Sequence, residues 1–165
     1  MAITLFADGR IEKNGTNVLG FTPAFSAYTS SSFDIAPSTY VKVLYQTELF
    51  DTDGAYDTST SVFTVPAGKG GAYQINATTA VDDINDGTYM SISLGVNGAT
   101  GDSTGFYRML NYSPANDKII TMGFSCIKQL SAGDEINIWV YHSSIGTQGS
   151  ENYCNSFSMF RIGGV

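Results

Sequence analysis

The sequence has few of the side chains that most often carry out catalysis. Charged residues make up 14% of its 165 residues, and His142 is the single histidine, whereas a typical domain is about one quarter charged. A Ser-His-Asp hydrolase needs a base, yet His142 precedes a loop with Ser and Gly, so we expect it to be exposed at a strand edge. "GFSCI" lacks the second glycine of a nucleophile elbow, and "AGKGG" lacks phosphate-loop spacing. We therefore do not expect an enzyme.

Basic clusters and long apolar runs are also lacking. The formal charge is -7 and the pI is near 4.4, which disfavours binding to nucleic acids and to anionic membranes. No apolar run approaches the ~18 residues of a membrane-spanning helix. The start, "MAITLFADGRIEKNG", has an acidic residue at position 8, where a signal peptide would be apolar. We expect a protein that is made in the cytoplasm and is not exported by this route.

Two cysteines, Cys126 and Cys154, are too few for a disulfide framework. Cys126 alternates on one apolar face with Ile120, Met122 and Phe124, which predicts a buried free thiol. A disulfide between the two cysteines is the alternative.

What is present is apolar and polar alternation with a period of two, and helical periodicity does not extend beyond a turn or two. In "YMSISLGVNG", Met90, Ile92 and Leu94 share one face, and Asn97-Gly98 supplies a tight turn. The length suits one domain. Strands and turn-rich segments in this order favour an antiparallel sandwich, barrel or jelly roll. Further strands are predicted at 41-50, 61-66, 72-79, 118-127, 135-142 and 156-162.

The stretch "LSAGDEINI", Leu130 to Ile138, raises the question of whether its two acidic residues do chemistry. Gly133 suits a positive φ, and Asp134 can hydrogen-bond to local amides. Ile136, Ile138 and Val140 then alternate as one face of a strand. The stretch is therefore predicted to be a turn that leads into a strand.

Residues 1-20 are predicted to form a separate N-terminal arm, followed by one domain over 21-165. "ITLF" and "RIEK" flank Asp8-Gly9 as a short hairpin, which cannot be stable alone. It must pack on its own domain or on a partner. The residues expected to make the arm contacts are Ile3, Leu5, Phe6, Val18 and Phe21.

Two strands carry apolar residues on both faces. "INIWVYH" presents Trp139 and Tyr141 opposite its aliphatic face, and "FSMFRIGG" presents Phe160 and Ile162 opposite Phe157 and Met159. A single sandwich has one core, so the outer face of a sheet should also be covered. Self-association as a cyclic homo-oligomer is the economical explanation, with Trp139, Tyr141, Phe160 and Ile162 predicted to be buried in it.

Five stretches together resemble the complement globular-head family, which belongs with the tumour-necrosis-factor-like jelly rolls. Their order and spacing match across roughly residues 24-162. In this chain Met159 stands where the terminal motif has glycine, and the turn between Pro66 and Tyr73 is longer. The stretches are "AFSA" (24-27), "YDTSTSVFTVPAGKGGAYQI" (56-75), "LGVNG" (94-98), "LSAGDEINI" and "FSMF" (157-160).

The resemblance implies a ten-strand antiparallel jelly roll assembled as a compact homotrimer, with aromatic and apolar side chains near the threefold axis. Secreted animal members usually have a signal peptide and a collagen-like stalk, and neither pattern is found here. An unexported jelly-roll trimer with a short arm is similar to a bacteriophage virion component.

Carboxylate-rich loops are the remaining candidates for a site. "DTDGAYD" resembles the start of a calcium loop, but Val62 stands at the twelfth position, where an EF-hand needs Glu. Some members of the resembling family bind calcium, so calcium is weighed against solvated turns, which are favoured. The candidate ligands are Asp51, Asp53, Asp57, Asp82, Asp83 and Asp86.

The leading hypothesis is a virion protein: a homotrimeric capsid decoration (cement) protein whose arm binds the major capsid protein. The first alternative is a receptor-binding fibre tip, in which loops such as 98-106 and 143-153 contact a host glycan or protein. The second alternative is a carbohydrate-active enzyme, which would need a carboxylate pair in a groove.

Overall fold

The computed structural model describes residues 3-5, 11-13, 16-17, 23-85, 87-99, 108-112 and 119-164. Every regular element in these ranges is a β-strand, and all named strand pairs are antiparallel. No helix that could cross a membrane occurs within the same ranges. The strands are β1 (Ile3–Leu5), β2 (Ile11–Lys13), β3 (Thr16–Asn17), β4 (Ala24–Tyr28), β5 (Asp34–Ile35), β6 (Val41–Lys42), β7 (Thr47–Asp51), β8 (Tyr56–Asp57), β9 (Val62–Thr64), β10 (Gly71–Asp82), β11 (Tyr89–Val96), β12 (Arg108–Tyr112), β13 (Ile119–Leu130), β14 (Glu135–His142), β15 (Gln148–Gly149) and β16 (Ser156–Gly164).

Two large sheets make the sandwich. The five-stranded sheet has the order β13-β10-β16-β4-β7, and the six-stranded sheet contains β12-β11-β14-β9-β8 with β6 paired to β14. Strands that are distant in sequence are neighbours in both sheets, as expected for an antiparallel jelly roll. The predicted all-β jelly-roll class is confirmed.

Two small sheets complete the described structure. β1, β2 and β3 form a three-stranded sheet, in which Ile3 lies opposite Lys13 and Leu5 opposite Ile11. The pairing expected of the predicted hairpin is therefore present between Ile3–Leu5 and Ile11–Lys13, with one short strand added, whereas its turn at Asp8-Gly9 lies outside the described residues. β5 and β15 form the other small sheet.

The core lies between the two large sheets and is densely aromatic. Phe25 of β4 is at its centre, with ring centroids 4.4 Å from Tyr56, 5.0 Å from Phe63 and 4.8 Å from Phe157. Because these rings come from both sheets, their burial holds the sandwich together, at about 1.5–3 kcal/mol for each large apolar side chain. Met159 is 1% exposed, so the residue that departs from the family motif is simply a core residue.

Two of the resembling stretches meet at one end of the six-stranded sheet. Gly133 has a φ of +90°, and the Ser131 backbone N–H donates to Asp134 Oδ2 at 2.8 Å. The Asn97 amide donates to Asp134 Oδ1 at 2.8 Å, and its oxygen accepts from the Glu135 N–H. The prediction that "LSAGDEINI" is a turn leading into a strand is confirmed, because the turn at Ser131–Asp134 is followed directly by β14. The Asp134 carboxylate also links this turn to the Asn97 turn by a hydrogen bond.

The strand predicted at 41-50 is wrong as one element, because the chain changes sheets within it. β6 pairs with β14 in the six-stranded sheet, whereas β7 pairs with β4 in the five-stranded sheet. Between them the Tyr45 backbone N–H donates to Ser61 Oγ at 2.9 Å. The Tyr45 ring is fully buried, so the crossing segment still belongs to the core.

The prediction that His142 is exposed is also wrong. Its side chain is fully buried at the end of β14, and Nε2 lies 2.9 Å from the carbonyl oxygen of Ile35. Because a carbonyl only accepts, Nε2 donates this bond. The loop that follows folds back over the strand end, where the Tyr89 N–H donates to Ser143 Oγ and the Asn85 N–H donates to Ser144 Oγ.

Both cysteines are free, with Cys126 buried and Cys154 exposed. The predicted buried thiol is therefore confirmed, and the alternative disulfide is not formed. Burial raises the pKa of Cys126 to about 11, which makes it a poor nucleophile at neutral pH.

Candidate functional site

The four residues predicted to be buried in a trimer lie on two different sheets. Trp139 and Tyr141 are in β14 of the six-stranded sheet, whereas Phe160 and Ile162 are in β16 of the five-stranded sheet. The outer faces of a sandwich point away from each other. The structure therefore does not bring these residues together, and each outer face has to be considered separately.

The central part of the outer face of the five-stranded sheet carries no charge across four strands, and Asp82 at the end of β10 lies beyond it. The strand registers align three cross-strand rows, and no position in them is charged, although the chain has a formal charge of -7. We call this surface the charge-free face. Its rows are Ala24, Phe160, Gln74 and Ile127; Ser26, Ser158, Asn76 and Ser125; and Tyr28, Ser156, Thr78 and Gly123.

Exposed apolar side chains occupy this face and its margins. Ile127 is 57% exposed, Phe160 is 37% exposed and Tyr28 is 38% exposed. Ile162, the unpaired residue at the register shift in β16, is 42% exposed. Exposed apolar side chains that are grouped in this way are typical of a protein–protein contact, and depletion of charge is typical of the centre of such contacts.

A small hydrogen-bond network lies at the middle of the charge-free face. The Gln74 amide donates to Ser125 Oγ at 2.7 Å, and Ser125 Oγ donates to Asn76 Oδ1 at 2.8 Å. The Gln74 amide also reaches Asn76 Oδ1 at 3.3 Å. These bonds fix the amide groups in place, so the face presents a defined polar centre with apolar residues to either side.

The outer face of the six-stranded sheet is aromatic. Tyr89 and Tyr141 stack with ring centroids 5.5 Å apart, and Tyr40 lies 5.2 Å from Tyr141. Trp139 is two residues from Tyr141 on the same face of β14, and Lys42 Nζ lies 5.9 Å from its ring centroid. All four rings are partly exposed. We call Tyr40, Tyr89, Trp139 and Tyr141 the aromatic shelf.

Gly95 of β11 allows the indole to lie close to the sheet. A Cβ at this position would be 2.3 Å from Trp139 Nε1 and 2.1 Å from Asn137 Oδ1. These two atoms are buried, and neither has a hydrogen-bond partner in the described part of the chain. A donor and an acceptor therefore lie side by side above Gly95 without being satisfied.

A polar cleft of about 380 Å³ adjoins the shelf. It shares Asp57 and Thr64 with a second cleft of about 360 Å³ near the Asp53 turn. Hydrogen bonds from the side chain and backbone of Ser59 hold the pKa of Asp57 below its ordinary value, so this carboxylate is ionised at neutral pH. The polar cleft is lined by Lys42, Asp57, Thr60, Val62, Thr64 and Glu135.

Four of the six carboxylates predicted as calcium ligands, those of Asp51, Asp53, Asp57 and Asp82, have other partners. Asp51 accepts the backbone N–H groups of Asp53 and Tyr56, and Asp57 accepts from Ser59. Asp53 lies 3.8 Å from Lys69 Nζ. Asp82 accepts from the Asp83 N–H, and Asp86 lies outside the described residues. Within the described ranges no three His, Cys, Asp or Glu side chains form a group that could hold a metal ion.

Of the predicted arm contacts, Ile3 is 65% exposed in β1. Leu5 is the last residue of the same strand. Phe6, Val18 and Phe21 lie outside the described residues, as does most of the predicted contact loop 98-106. The arm contacts therefore stay a prediction.

Sequence reasoning missed Tyr40, Tyr89, Lys42 and Asn137, which complete the surface around Trp139. The alternation of β11 gave a signal for Tyr89, because it precedes Ser91 and Ser93 on the face opposite Met90. Tyr40 and Lys42 gave none, since only the pairing of β6 with β14 brings them to Trp139.

No family model and no curated protein matches the chain, and its similarity is to solved structures. The globular domain of a zebrafish complement 1qA protein is 14% identical with a TM-score of 0.61, covering 86% of this chain and 98% of that one. The Eiger TNF of S. frugiperda is 13% identical with a TM-score of 0.58, covering 86% and 93%. Murine APRIL is 11% identical with a TM-score of 0.59, covering 84% and 98%. The chain therefore has the complement globular-head and tumour-necrosis-factor-like jelly-roll fold.

Proposed function

We propose that the chain is a non-enzymatic structural protein of a bacteriophage virion, a homotrimeric decoration (cement) protein that stabilises the head. The observation that carries the self-association is the charge-free face. A chain with a formal charge of -7 repels its own copies. An uncharged surface with exposed Ile127 and Phe160 lets copies approach with little repulsion and buries apolar side chains in the contact.

The threefold arrangement rests on the resemblance in sequence and on the similarity of fold to complement and tumour-necrosis-factor-like domains. In this proposal only two of the four residues predicted to be buried in the trimer belong to its contact. Phe160 and Ile162 contribute to the trimer contact, whereas Trp139 and Tyr141 remain on the opposite side of the sandwich. A trimer also suits the local threefold symmetry of a capsid lattice.

The N-terminal sheet is the proposed attachment element. The strands of this sheet are only two or three residues long, and a sheet needs a packed hydrophobic face to be stable on its own, whereas Ile3 is largely exposed. Contact with the major capsid protein would supply the missing burial. Three arms on one trimer would bind with much higher avidity than one arm. Neither the trimer nor the attachment requires a metal ion in this proposal.

Self-association is tested by replacing one side chain on the charge-free face. We expect sedimentation equilibrium to give a trimer for the parent chain and a monomer for Ile127→Asp, because three buried carboxylates near one another are strongly unfavourable. Ile145→Asp is the matched control, since Ile145 is 89% exposed in the loop between β14 and β15 and belongs to none of the three rows. A trimer that persists in Ile127→Asp would contradict the assigned surface.

The virion role is tested by co-sedimentation of the chain with expanded, undecorated capsids, with whole host cells as the competing target. Saturable capsid binding that is lost on removal of residues 1-20 is the expected result. Binding to cells alone would instead favour the receptor-binding alternative, in which exposed loops contact a host glycan or protein.

A further inference from the structure

We propose that the aromatic shelf and the polar cleft together form a binding site for a neutral oligosaccharide. This inference goes beyond the decoration role, because the site lies on the six-stranded sheet and the proposed trimer contact lies on the five-stranded sheet. The two proposals can therefore be tested independently, with substitutions at different residues.

Lys42 joins the two halves of the site. Its Nζ lies 5.9 Å from the Trp139 ring centroid and 3.3 Å from the carbonyl oxygen of Thr60, which lines the cleft. Glu135 is on the same face of β14 as Trp139 and lies opposite Thr64 in the sheet. A ligand of a few sugar rings that covered Trp139 would therefore also reach the cleft.

The chemistry of the two halves matches a saccharide. A sugar ring has an apolar C–H face that packs on aromatic rings, and Trp139 and Tyr141 offer partly exposed rings. Its hydroxyl groups both donate and accept. The cleft offers a donor in Lys42, acceptors in Asp57 and Glu135, and hydroxyls of both kinds in Thr60 and Thr64.

The charges on this face favour a neutral ligand. Lys42 stands beside Glu135 and Asp57, so both signs occur within one cleft. A strongly anionic ligand would be repelled by the chain as a whole, which has a formal charge of -7.

The unsatisfied atoms above Gly95 point to the same ligand class. Asn137 is 4% exposed, and its Oδ1 has no partner in the described part of the chain, like Trp139 Nε1 beside it. Burial of an unpaired donor and acceptor is unfavourable. A small outward movement of the indole would let one hydroxyl group donate to Asn137 Oδ1 and accept from Nε1.

A protein partner fits this face less well. Within the described residues, the exposed large apolar side chains lie in β1, on or beside the five-stranded sheet, or in loops; β6, β8, β9, β11 and β14 contribute none. Partly exposed rings beside a polar cleft are what a polyhydroxylated ligand requires.

The test uses Trp139 as its own reporter, because it is the single tryptophan. The intact chain is titrated separately with maltohexaose, cellohexaose and the hexamer of N-acetylglucosamine, with emission and heat as readouts. We expect a saturable change with at least one of them. Tyr141→Ala should weaken that binding about tenfold, the size of one lost aromatic contact.

Glu135→Gln and Thr60→Val change exposed positions of the cleft and provide variants that keep the fold. Both should weaken binding, whereas Ile145→Ala, at a largely exposed position outside the shelf and the cleft, should leave the affinity unchanged. The proposal is overturned if none of the three sugars gives a saturable change into the millimolar range, or if Tyr141→Ala and Glu135→Gln bind as tightly as the parent. If Tyr141→Ala loses capsid binding and the parent chain binds no sugar, the aromatic shelf is a protein contact, and the saccharide proposal is overturned as well.

Discussion

At the scale of single residues, burial decides the chemistry of several reactive groups. Cys126 lies on the inward face of β13, where burial raises its pKa to about 11. Burial likewise raises the pKa of Tyr56 to about 12, and its hydroxyl donates to the Tyr45 carbonyl at 2.8 Å. These groups therefore stay protonated and serve the packing of the core.

This protonation predicts a loss of stability at alkaline pH. The thiol has an ordinary pKa of 9.0 and a pKa of about 11 in the folded chain. The unfolded chain therefore ionises first, and the contribution of Cys126 is complete below about pH 9 and lost as the pH rises to about 11. We expect the free energy of unfolding, measured by urea denaturation, to fall across this interval.

Cys126→Ala is the variant that isolates the thiol, and Cys154→Ala is its matched control at an exposed position. Cys126→Ala should show a shallower decline over the same interval, while Cys154→Ala should follow the parent. An equally steep decline in Cys126→Ala would mean that the tyrosines account for the whole effect.

Residue-scale prediction from sequence succeeded where the partners are local. Asp134 accepts a hydrogen bond from the Ser131 N–H three residues away. Gly133 and the alternating residues that follow it are enough to predict this turn. His142 was misjudged because its partner, the Ile35 carbonyl, is more than a hundred residues away in the chain. The residues around His142 in the sequence therefore cannot predict this contact or the burial of the side chain.

At the scale of elements, the fit between β11 and β14 depends on a missing side chain. Gly95 lies opposite Asn137 in the sheet, and its lack of a Cβ leaves room for the Asn137 oxygen and the Trp139 indole. The requirement is one of space, because its φ is not in the left-handed region.

Gly95→Ala should therefore destabilise the chain and move the indole. The new methyl group would overlap both side chains, and overpacking of this kind costs about 1–3 kcal/mol. We expect a lower midpoint in urea and a red shift of tryptophan emission as the ring becomes more exposed. Gly149→Ala is the control, since a Cβ there meets no atom within 4 Å, and it should change neither measurement.

Element-scale prediction was good for strands and poor for their assignment to sheets. The alternation of β14 predicted its span of 135-142, and Phe157 and Met159 of β16 are buried as expected. The same alternation showed that Trp139 and Phe160 face outward, but not that they do so on opposite sides of the sandwich. That partition follows from pairings such as β16 with β4, which join the two ends of the domain.

At the scale of the whole molecule, the N-terminal sheet pairs within itself, and none of its described strands joins a sheet of the jelly roll. Removal of residues 1-20 should therefore leave the jelly roll folded, with a melting temperature within about 4 °C of the parent, equivalent to about 1 kcal/mol. Thermal unfolding followed by circular dichroism measures this.

Removal of residues 156-165 is the contrasting variant, because β16 lies between β10 and β4 in the middle of the five-stranded sheet. It should abolish cooperative unfolding. A large drop in melting temperature on removal of the arm would show instead that the arm is part of the stability of the jelly roll.

The charge-free face also affects how charge would be distributed over the surface of an assembly. In the proposed assembly, most of the charge of -7 on each chain would lie on the remaining surface, so each assembled particle would be surrounded by a concentrated negative field. Such particles keep their distance from one another at low ionic strength and approach more closely as salt shortens the screening length, about 10 Å at 0.1 M. The density at which they can crowd onto any shared surface should therefore rise with salt, even though the proposed contact is centred on rows of residues that carry no charge.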